Sequence, residues 1–349
     1  MVGDTKRVVE MDPFENSITI SSIGASNEVK TTTIKDVMYL DHLQLDDFIY
    51  GYRRSPVNNN FICYDGKKLN LYNENLDLKN SYQTKYSIIE AHLLSDDVII
   101  SLEMNDNELY IGVRDHGKEE YHAVELDKSQ DNNFFRLNVN EEDVKRYVSS
   151  IMGEHKKSDF YPNSTQILTY NLVDLKLEDT KVERLSEKVT SSKRSKYLVN
   201  KGVVSDKNSA FLNLEEQWIV TTTSSTGTGS RTYYTGRLVI VNGTIGKHNE
   251  KIIDKFAKSM INQDKLSFQV ELKNDKLFYL FNSHLKERPA INQVVLNKEL
   301  EPLTWNIQDI YADQGTLLLG SIGFDMEDGR RMYVHQYKSK LGFAIFDVN

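Results

Sequence analysis

The chain has 349 residues, of which 39% are hydrophobic and 27% charged, which is enough apolar material for a packed core and excludes a disordered chain. A net charge of −8 gives no overall attraction to nucleic acid or to an anionic membrane, so a site for an acidic partner must be a local basic patch. The single cysteine, Cys63, excludes an internal disulfide framework and a zinc site built on cysteines.

The first predicted element is a hairpin in "LQLDDFIYGY" from Leu43, where two apolar runs flank an acidic turn. The sequence continues with "RRSPVNNNF", so Tyr50, Tyr52, Arg53 and Arg54 stand close together. Tyrosine and arginine are residue types that dominate binding hot spots. Arg53 and Arg54 are therefore candidate partner-binding residues.

The stretch "HLLSDDVIISLEMNDNELYIGVRDHGKEEYHAVELD", from His92 to Asp127, alternates apolar and polar residues in short runs. Acidic, Asn and Gly clusters separate the runs. Period two is typical of strands, and such clusters are typical of hairpin turns. With "SIIEAHLL" in front, the pattern predicts a four-stranded antiparallel meander.

Two segments show a helical period instead. In "NEEDVKRYVSSIMGEH" the apolar residues fall on one helical face behind Asn140 as N-cap, and "NEKIIDKFAKSMINQD" repeats the pattern. These apolar positions are Val144, Tyr147, Val148 and Ile151, then Ile252, Ile253, Phe256 and Met260. We expect two short helical insertions, near 141–152 and 250–261.

The stretch "KVTSSKRSKYLVNK", from Lys188 to Lys201, is basic and contains no acidic residue. A local basic patch on an acidic protein can steer an acidic or phosphorylated partner. Lys193, Arg194 and Lys196 are therefore candidate partner-binding residues. The alternative is a solvated loop.

Further hairpins are predicted downstream. They lie in "STQILTYNLVDLKLEDTKVERL" from Ser164, "LNLEEQWIVTTT" from Leu212, "VELKNDKLFYLF" from Val270 and "IYADQGTLLLGSI" from Ile310. The second strand of each copy is the more apolar, which predicts burial on both faces; in the Leu212 copy it starts at Trp218. The Gly-rich stretch from Ser224 to Gly236 is flanked by strands, which favours a hairpin loop over a phosphate cradle.

The recurring hairpins resemble the four-stranded blades of β-propellers over nearly the whole chain. One meander cannot bury both faces, so neighbouring blades stack, and a closed ring leaves no large open edge. The resemblance implies an all-β fold, a six- or seven-bladed β-propeller with the two helical insertions, forming one domain over residues 1–349. A β-sandwich or two β domains is the alternative. The marks of WD40, kelch and sialidase repeats are absent, so no family's functional residues are carried over.

Motifs for catalysis are missing from the sequence. The eight histidines show no H-x-H or H-E-x-x-H spacing, and there is no G-x-S-x-G, P-loop or dinucleotide fingerprint. The carboxylates in "FDMEDGRRMY", from Phe324 to Tyr333, lack the spacing of a calcium loop and favour an acidic turn. We expect no catalytic residue, no metal ligand and no cofactor, although an enzymatic activity stays open.

The N-terminal "MVGDTKRVVEMDPFENS" has no apolar core of a secretion signal, and no run of residues is long and apolar enough to span a membrane. We expect a soluble cytoplasmic protein, with a trimmed secreted chain as the alternative.

Rigid sheets with variable loops suit recognition. We therefore expect a non-enzymatic scaffold that binds other proteins as part of a complex. The alternative is a propeller that binds a ligand or carbohydrate, or an enzyme, with its site in the central channel.

Overall fold

The computed structural model describes residues 6–12, 17–23, 29–34, 50–54, 60–73, 77–94, 98–106, 108–115, 117–140, 144–223, 229–244, 246–247, 249–259, 267–285, 288–308, 317–325, 331–337 and 340–346. In these residues the fold is nearly all β. No helix within them is long and apolar enough to cross a membrane.

The first group of strands runs as far as residue 123: β1 (Lys6–Asp12), β2 (Ser17–Ile23), β3 (Val29–Ile34), β4 (Tyr50–Arg54), β5 (Phe61–Asp65), β6 (Lys68–Tyr72), β7 (Leu78–Gln83), β8 (Ser87–Leu93), β9 (Ile99–Asn105), β10 (Glu108–Asp115) and β11 (Lys118–Ala123). They form antiparallel sheets in the orders β1-β2-β3, β4-β5-β6-β7 and β11-β10-β9-β8.

The second group runs from residue 131: β12 (Asp131–Asn140), β13 (Lys145–Lys156), β14 (Asp159–Asn171), β15 (Leu177–Arg184), β16 (Leu198–Asp206), β17 (Ser209–Thr223), β18 (Gly229–Asn242), β19 (Glu250–Ile253), β20 (Ala257–Ser259), β21 (Phe268–Lys273), β22 (Lys276–Leu285), β23 (Arg288–Asn297), β24 (Pro302–Gln308), β25 (Leu317–Asp325), β26 (Arg331–Tyr337) and β27 (Lys340–Phe346). Between β15 and β16 lie a one-turn helix, α1 (Glu187–Thr190), and a 3-10 turn, Ser195–Tyr197.

The chain divides into two compact units, Met1–Leu126 and Asp127–Asn349. In the first unit, the sheets β4–β7 and β8–β11 share an apolar core that includes Ile62, Leu69, Leu71 and Ile88. In the second unit, the sheets are β12–β15, β16–β19 with β20 beside β18, β21–β24 and β25–β27.

Strand β17 shows how these sheets stack. Its Leu212 and Leu214 belong to the core shared with sheet β12–β15, whereas Phe211 belongs to the core shared with sheet β21–β24. Because successive side chains of a strand point to opposite faces, this alternation buries both faces of β17. The buried part of β17 ends before Trp218, and the strand predicted to be buried from Trp218 onward is half-buried and then exposed, so that prediction is wrong for this copy.

The first strands of successive sheets in the second unit are neighbours. Strand β12 contacts β16, β16 contacts β21, and β21 contacts β25. Between β12 and β16, the Val203 N–H donates to Asn138 Oδ1 at 2.8 Å and Asn140 Nδ2 donates to the Ser205 carbonyl at 3.0 Å. Side-chain amides thus join the two sheets where their first strands meet.

The helical insertion predicted near 141–152 is wrong. Residues 145–156 form β13, which lies between β12 and β14. Positions 146–153 are all buried, so the apolar residues do not alternate with polar ones. Val144, Tyr147, Val148 and Ile151 matched a helical period by coincidence.

The insertion predicted near 250–261 is also wrong within the described residues. Ile252 and Ile253 lie in β19, and β20 follows after a short break at Asp254–Phe256; both strands pair with β18. Burial still alternates through the break, with Ile253, Lys255 and Ala257 buried, but the buried residue at 255 is a lysine, so the apolar residues do not show a period of two. Met260 lies outside the described residues.

The predicted meander between residues 87 and 127 is confirmed as β8–β11, as are the hairpins β14–β15 and β21–β22. The hairpin predicted at Leu212 is wrong, since "LNLEEQWIVTTT" runs through one continuous strand, β17, with a bulge between Glu215 and Gln217. Trp218 is half-buried instead of lying at the start of a core strand. The turns predicted before Phe48 and Leu317 and the acidic turn after Asp325 lie outside the described residues.

Candidate partner-binding surface

The basic stretch predicted as a binding segment is tied closely to the sheets. Val189 of α1 is buried in the core between sheets β12–β15 and β16–β19. Arg237 of β18 donates to the carbonyls of Lys188 at 2.9 Å and Val189 at 3.4 Å. The Ser186 N–H donates to Glu250 Oε2 at 3.1 Å. These contacts attach the start of the segment to the sheets, whereas Lys193 and Arg194 are exposed.

Arg237 also joins this segment to β17. Its Nε and Nη2 donate to Glu216 Oε1 at 2.9 and 2.7 Å, and its backbone N–H donates to Glu216 Oε2 at 3.0 Å. The Glu216 side chain is almost fully buried, so this charge-assisted contact compensates for its removal from water.

Four aromatic rings and one guanidinium meet above the sheet at this point. Trp218 of β17 lies opposite Tyr234 of β18, and their rings are parallel, with centroids 5.3 Å apart and planes at 3°. Phe256 lies 6.3 Å from the Trp218 ring and 5.9 Å from Tyr234, and Tyr197 of the 3-10 turn lies 6.0 Å from Trp218. The Arg194 guanidinium carbon stands 4.6 Å from the Trp218 centroid. We call these five residues the Trp218 surface.

Gly236 makes room for this arrangement. A Cβ at position 236 would lie 2.5 Å from Glu216 Oε2 and 3.0 Å from Trp218 Cζ3. Both distances are too short for an unstrained contact. The Trp218 ring and the Glu216 carboxylate can therefore occupy these positions only because residue 236 has no side chain.

Arg194 is exposed, and its guanidinium packs on the rings of Trp218 and, at 6.0 Å, of Phe256. No residue in the described ranges supplies a carboxylate or other hydrogen-bond acceptor to this guanidinium. Lys193 beside it is exposed and likewise has no ion-pair partner among the described side chains. The surface therefore presents an exposed cation that packs on aromatic rings and whose donors have no acceptor among the described residues.

Of the other predicted binding residues, Lys196 is half-buried and pairs with Asp159 at 2.8 Å, and the contact raises the pKa of Lys196. Its amine also lies 5.2 Å from the Tyr197 ring centroid. Arg53 and Arg54 lie in β4, an edge strand of the first unit, opposite Ile62 and Phe61. Their partner-binding role stays a prediction.

A buried ion pair lies on the other face of the same strands. Lys255 contacts Glu215, and both side chains are fully buried. Burial lowers the pKa of Lys255, and the Glu215 carboxylate opposes this effect. Glu215 also accepts hydrogen bonds from Gln217 at 2.6 Å and Ser267 at 2.8 Å. The pair therefore connects β17 with the break between β19 and β20 and with Ser267, the residue before β21.

A second buried cluster lies within the meander β8–β11. Arg114 donates to Glu103 at 2.7 Å, to Ser101 at 2.8 Å and to Tyr121 at 2.9 Å. Burial raises the pKa of Tyr121 to about 12. Every member has a partner inside one sheet, which indicates a structural role. Within the described ranges, no three His, Cys, Asp or Glu side chains form a group that could hold a metal ion.

The sequence pointed to Arg194 but not to the rings around it. Tyr197 stands inside the basic stretch, Trp218 stands before the Gly-rich stretch, and Tyr234 lies within it. Their opposition depends on the register of β17 and β18, including the bulge after Glu215. The helical pattern around Phe256 does not predict that its ring lies beside Tyr234 of β18.

No protein-family model and no curated protein matches the chain. Among solved structures, it is similar to the polysaccharide lyase Uly1, with 9% identity over 99% of this chain and 88% of that chain and a TM-score of 0.48. An apocarotenoid oxygenase from Synechocystis has 9% identity over 99% of this chain and 84% of that chain, with a TM-score of 0.48. A chain of a yeast heterotrimeric nucleoporin complex has 9% identity over 98% of this chain and 97% of that chain, with a TM-score of 0.41. None of these similarities assigns the chain to a family or an activity.

Proposed function

We propose that this protein is a non-enzymatic interaction scaffold and that it binds an acidic segment of another protein at the Trp218 surface. The observation that carries the proposal is Arg194, which is held over Trp218 and has no carboxylate among the described residues. On a chain of net charge −8, such a cation favours an acidic partner.

The energetics of binding support this choice. Tryptophan, tyrosine and arginine are the residues most enriched in binding hot spots. A guanidinium stacked on an aromatic ring keeps its donors free for a carboxylate, which it binds by charge-assisted hydrogen bonds. The contacts of Val189, Lys196 and Arg237 already hold the segment, so binding costs less conformational entropy than ordering a free loop would.

Carbohydrate binding at this surface has less support. A sugar platform needs an uncovered aromatic face, whereas the Arg194 guanidinium stands over the Trp218 ring and Tyr234 lies parallel to it.

We also propose that the sheets are blades of one six- or seven-bladed propeller that forms a single domain over residues 1–349. The neighbouring first strands β12, β16, β21 and β25, and the burial of β17 on both faces, support it. Calorimetry tests this: one cooperative transition is expected, whereas two separate transitions would favour two domains.

The binding proposal is tested by affinity purification with quantitative mass spectrometry. The variant Lys193→Glu/Arg194→Glu is compared with Lys207→Glu/Lys247→Glu, which has the same charge change on exposed lysines at the opposite end of the sheet. At matched thermal stability, the first variant should lose an acidic partner that wild type and control retain, with a larger effect at low salt. An identical set of partners for all three proteins would refute the proposal.

A further inference from the structure

The hairpin β17–β18, which carries Trp218 and Tyr234, extends beyond the start of the neighbouring strand β16. Strand β16 begins beside β17 at the pair Leu198 and Glu216 and runs away toward the Asp206 turn. Strands β17 and β18 stay paired much further, from Trp218 opposite Tyr234 to Thr223 opposite Gly229. We call residues 218–223 and 229–234 the arm.

One edge of the arm lacks a partner strand in the part of the chain that the structure describes. Beyond Glu216, β17 is paired with β18 on one side and with no described strand on the other. Such an edge presents backbone N–H and C=O groups that another strand can bind.

The side chains leave this edge accessible. Val220 to Thr223 are exposed, and the segment "IVTTT" is β-branched throughout. Proteins usually block an open edge with proline, lysine or a bulge. Residues 219–223 of β17 contain no proline and no charged residue, and they pair with β18 without a bulge.

The base of the edge is cationic and aromatic. The 3-10 turn contacts β17, Tyr197 lies 6.0 Å from the Trp218 ring, and Arg194 stands over the same ring. A strand added beside β17 would therefore reach Arg194 and the exposed Lys193. Charge complementarity selects an acidic strand.

We propose that the open edge of β17 takes up an extended acidic segment of a partner protein, which adds as a strand beside Ile219–Thr223 and places a carboxylate on Arg194. This rests on the proposed function and adds the mode of binding: backbone hydrogen bonds along the arm and one charge-assisted contact at its base.

The test selects short random peptides displayed on phage against the full-length protein, then measures their binding to wild type, Arg194→Gln and Trp218→Ala. Each enriched peptide is then N-methylated at one backbone position at a time. An added strand uses alternate residues for hydrogen bonds, so methylation should weaken binding by about three- to tenfold at every second position and little between them. Hydrogen exchange should show new protection in Ile219–Thr223 and none at the Asp206–Ser209 turn.

The outcomes separate the two proposals. Both proposals are supported if the enriched peptides are acidic and need Arg194 and Trp218 for binding, if methylation weakens binding at every second position, and if the peptides protect the arm from hydrogen exchange. Acidic peptides that need Arg194 and Trp218 but lack the alternation and leave the arm unprotected would overturn strand addition and leave the proposed function intact. Peptides whose binding shows the alternating methylation effect but which are not acidic would refute the proposal that the partner segment is acidic. If no enriched peptide depends on Arg194 or Trp218, both proposals fail.

Discussion

At the scale of single residues, Gly236 controls the position of the Trp218 ring. The Cβ of Gly236→Ala would meet Glu216 and Trp218 at 2.5 and 3.0 Å, so we expect a loss of about 1–3 kcal/mol in the free energy of unfolding. Near-ultraviolet circular dichroism should change with it. The control is Gly229→Ala on the same strand, where the nearest atom to the new Cβ is the Thr222 carbonyl oxygen at 3.9 Å. Its free energy of unfolding should change by no more than about 0.5 kcal/mol. Equal losses in urea titrations of the two variants would contradict the packing described here.

Trp218 and Phe211 lie on the same strand but differ in burial. Phe211 is fully buried between two sheets, and Phe211→Ala should cost about 3–5 kcal/mol because it leaves a cavity. Trp218 is half-buried and solvent can refill its place, so Trp218→Ala should cost about 1–2 kcal/mol, mainly from lost ring contacts. Denaturant titration measures both. A loss for Trp218 as large as that for Phe211 would mean that the Trp218 surface is core and is not available to a partner.

At the scale of elements, the hairpin β21–β22 shows what its sequence can specify. Its turn residues Asn274 and Asp275 both have positive φ, 50° and 61°, as a two-residue type I′ turn requires. Asp275→Gly produces the favoured Asn-Gly pair and should raise stability by about 0.5–1 kcal/mol, because glycine adopts positive φ without strain. The exposed contact of Asp275 with Lys298 should cost little to lose.

The matched control for this turn is Asn208→Gly, in the turn between β16 and β17. Asn208 is not among the residues with positive φ, so glycine there increases only the entropy of the unfolded chain and should lower the melting temperature. A higher melting temperature for both variants would show that backbone strain is not the cause.

Strands bounded by clear turn residues could be predicted from sequence, including β9, whose residues 99–103 are all buried, whereas β13 and β17 could not. The meander β8–β11 has turn residues at each end and was predicted strand by strand. Strand β13 is buried on both faces and has no period two, so its apolar residues matched a helix. In β17 the buried Glu215 and Glu216 looked like an acidic turn, because their partners Lys255 and Arg237 are distant in sequence.

At the scale of the whole molecule, the sequence predicted an all-β chain of repeated antiparallel sheets, and the described residues form such sheets. It also identified the basic stretch that carries Arg194. It could not predict the Trp218 surface, because that surface joins residues from the 3-10 turn, two paired strands and the break after β19. Tertiary register, which no local pattern encodes, brings them together.

The central claim is that a partner protein docks at the Trp218 surface, and site-specific photo-crosslinking tests it most directly. A benzophenone amino acid replaces Lys193 in one variant and Lys207 in the other; both lysines are exposed, at opposite ends of the same sheet. In native extract we predict a crosslink to an acidic protein from position 193, its loss when Trp218→Ala is added, and no such crosslink from position 207. The same crosslinks from both positions, or a crosslink from position 193 that persists without Trp218, would contradict the account.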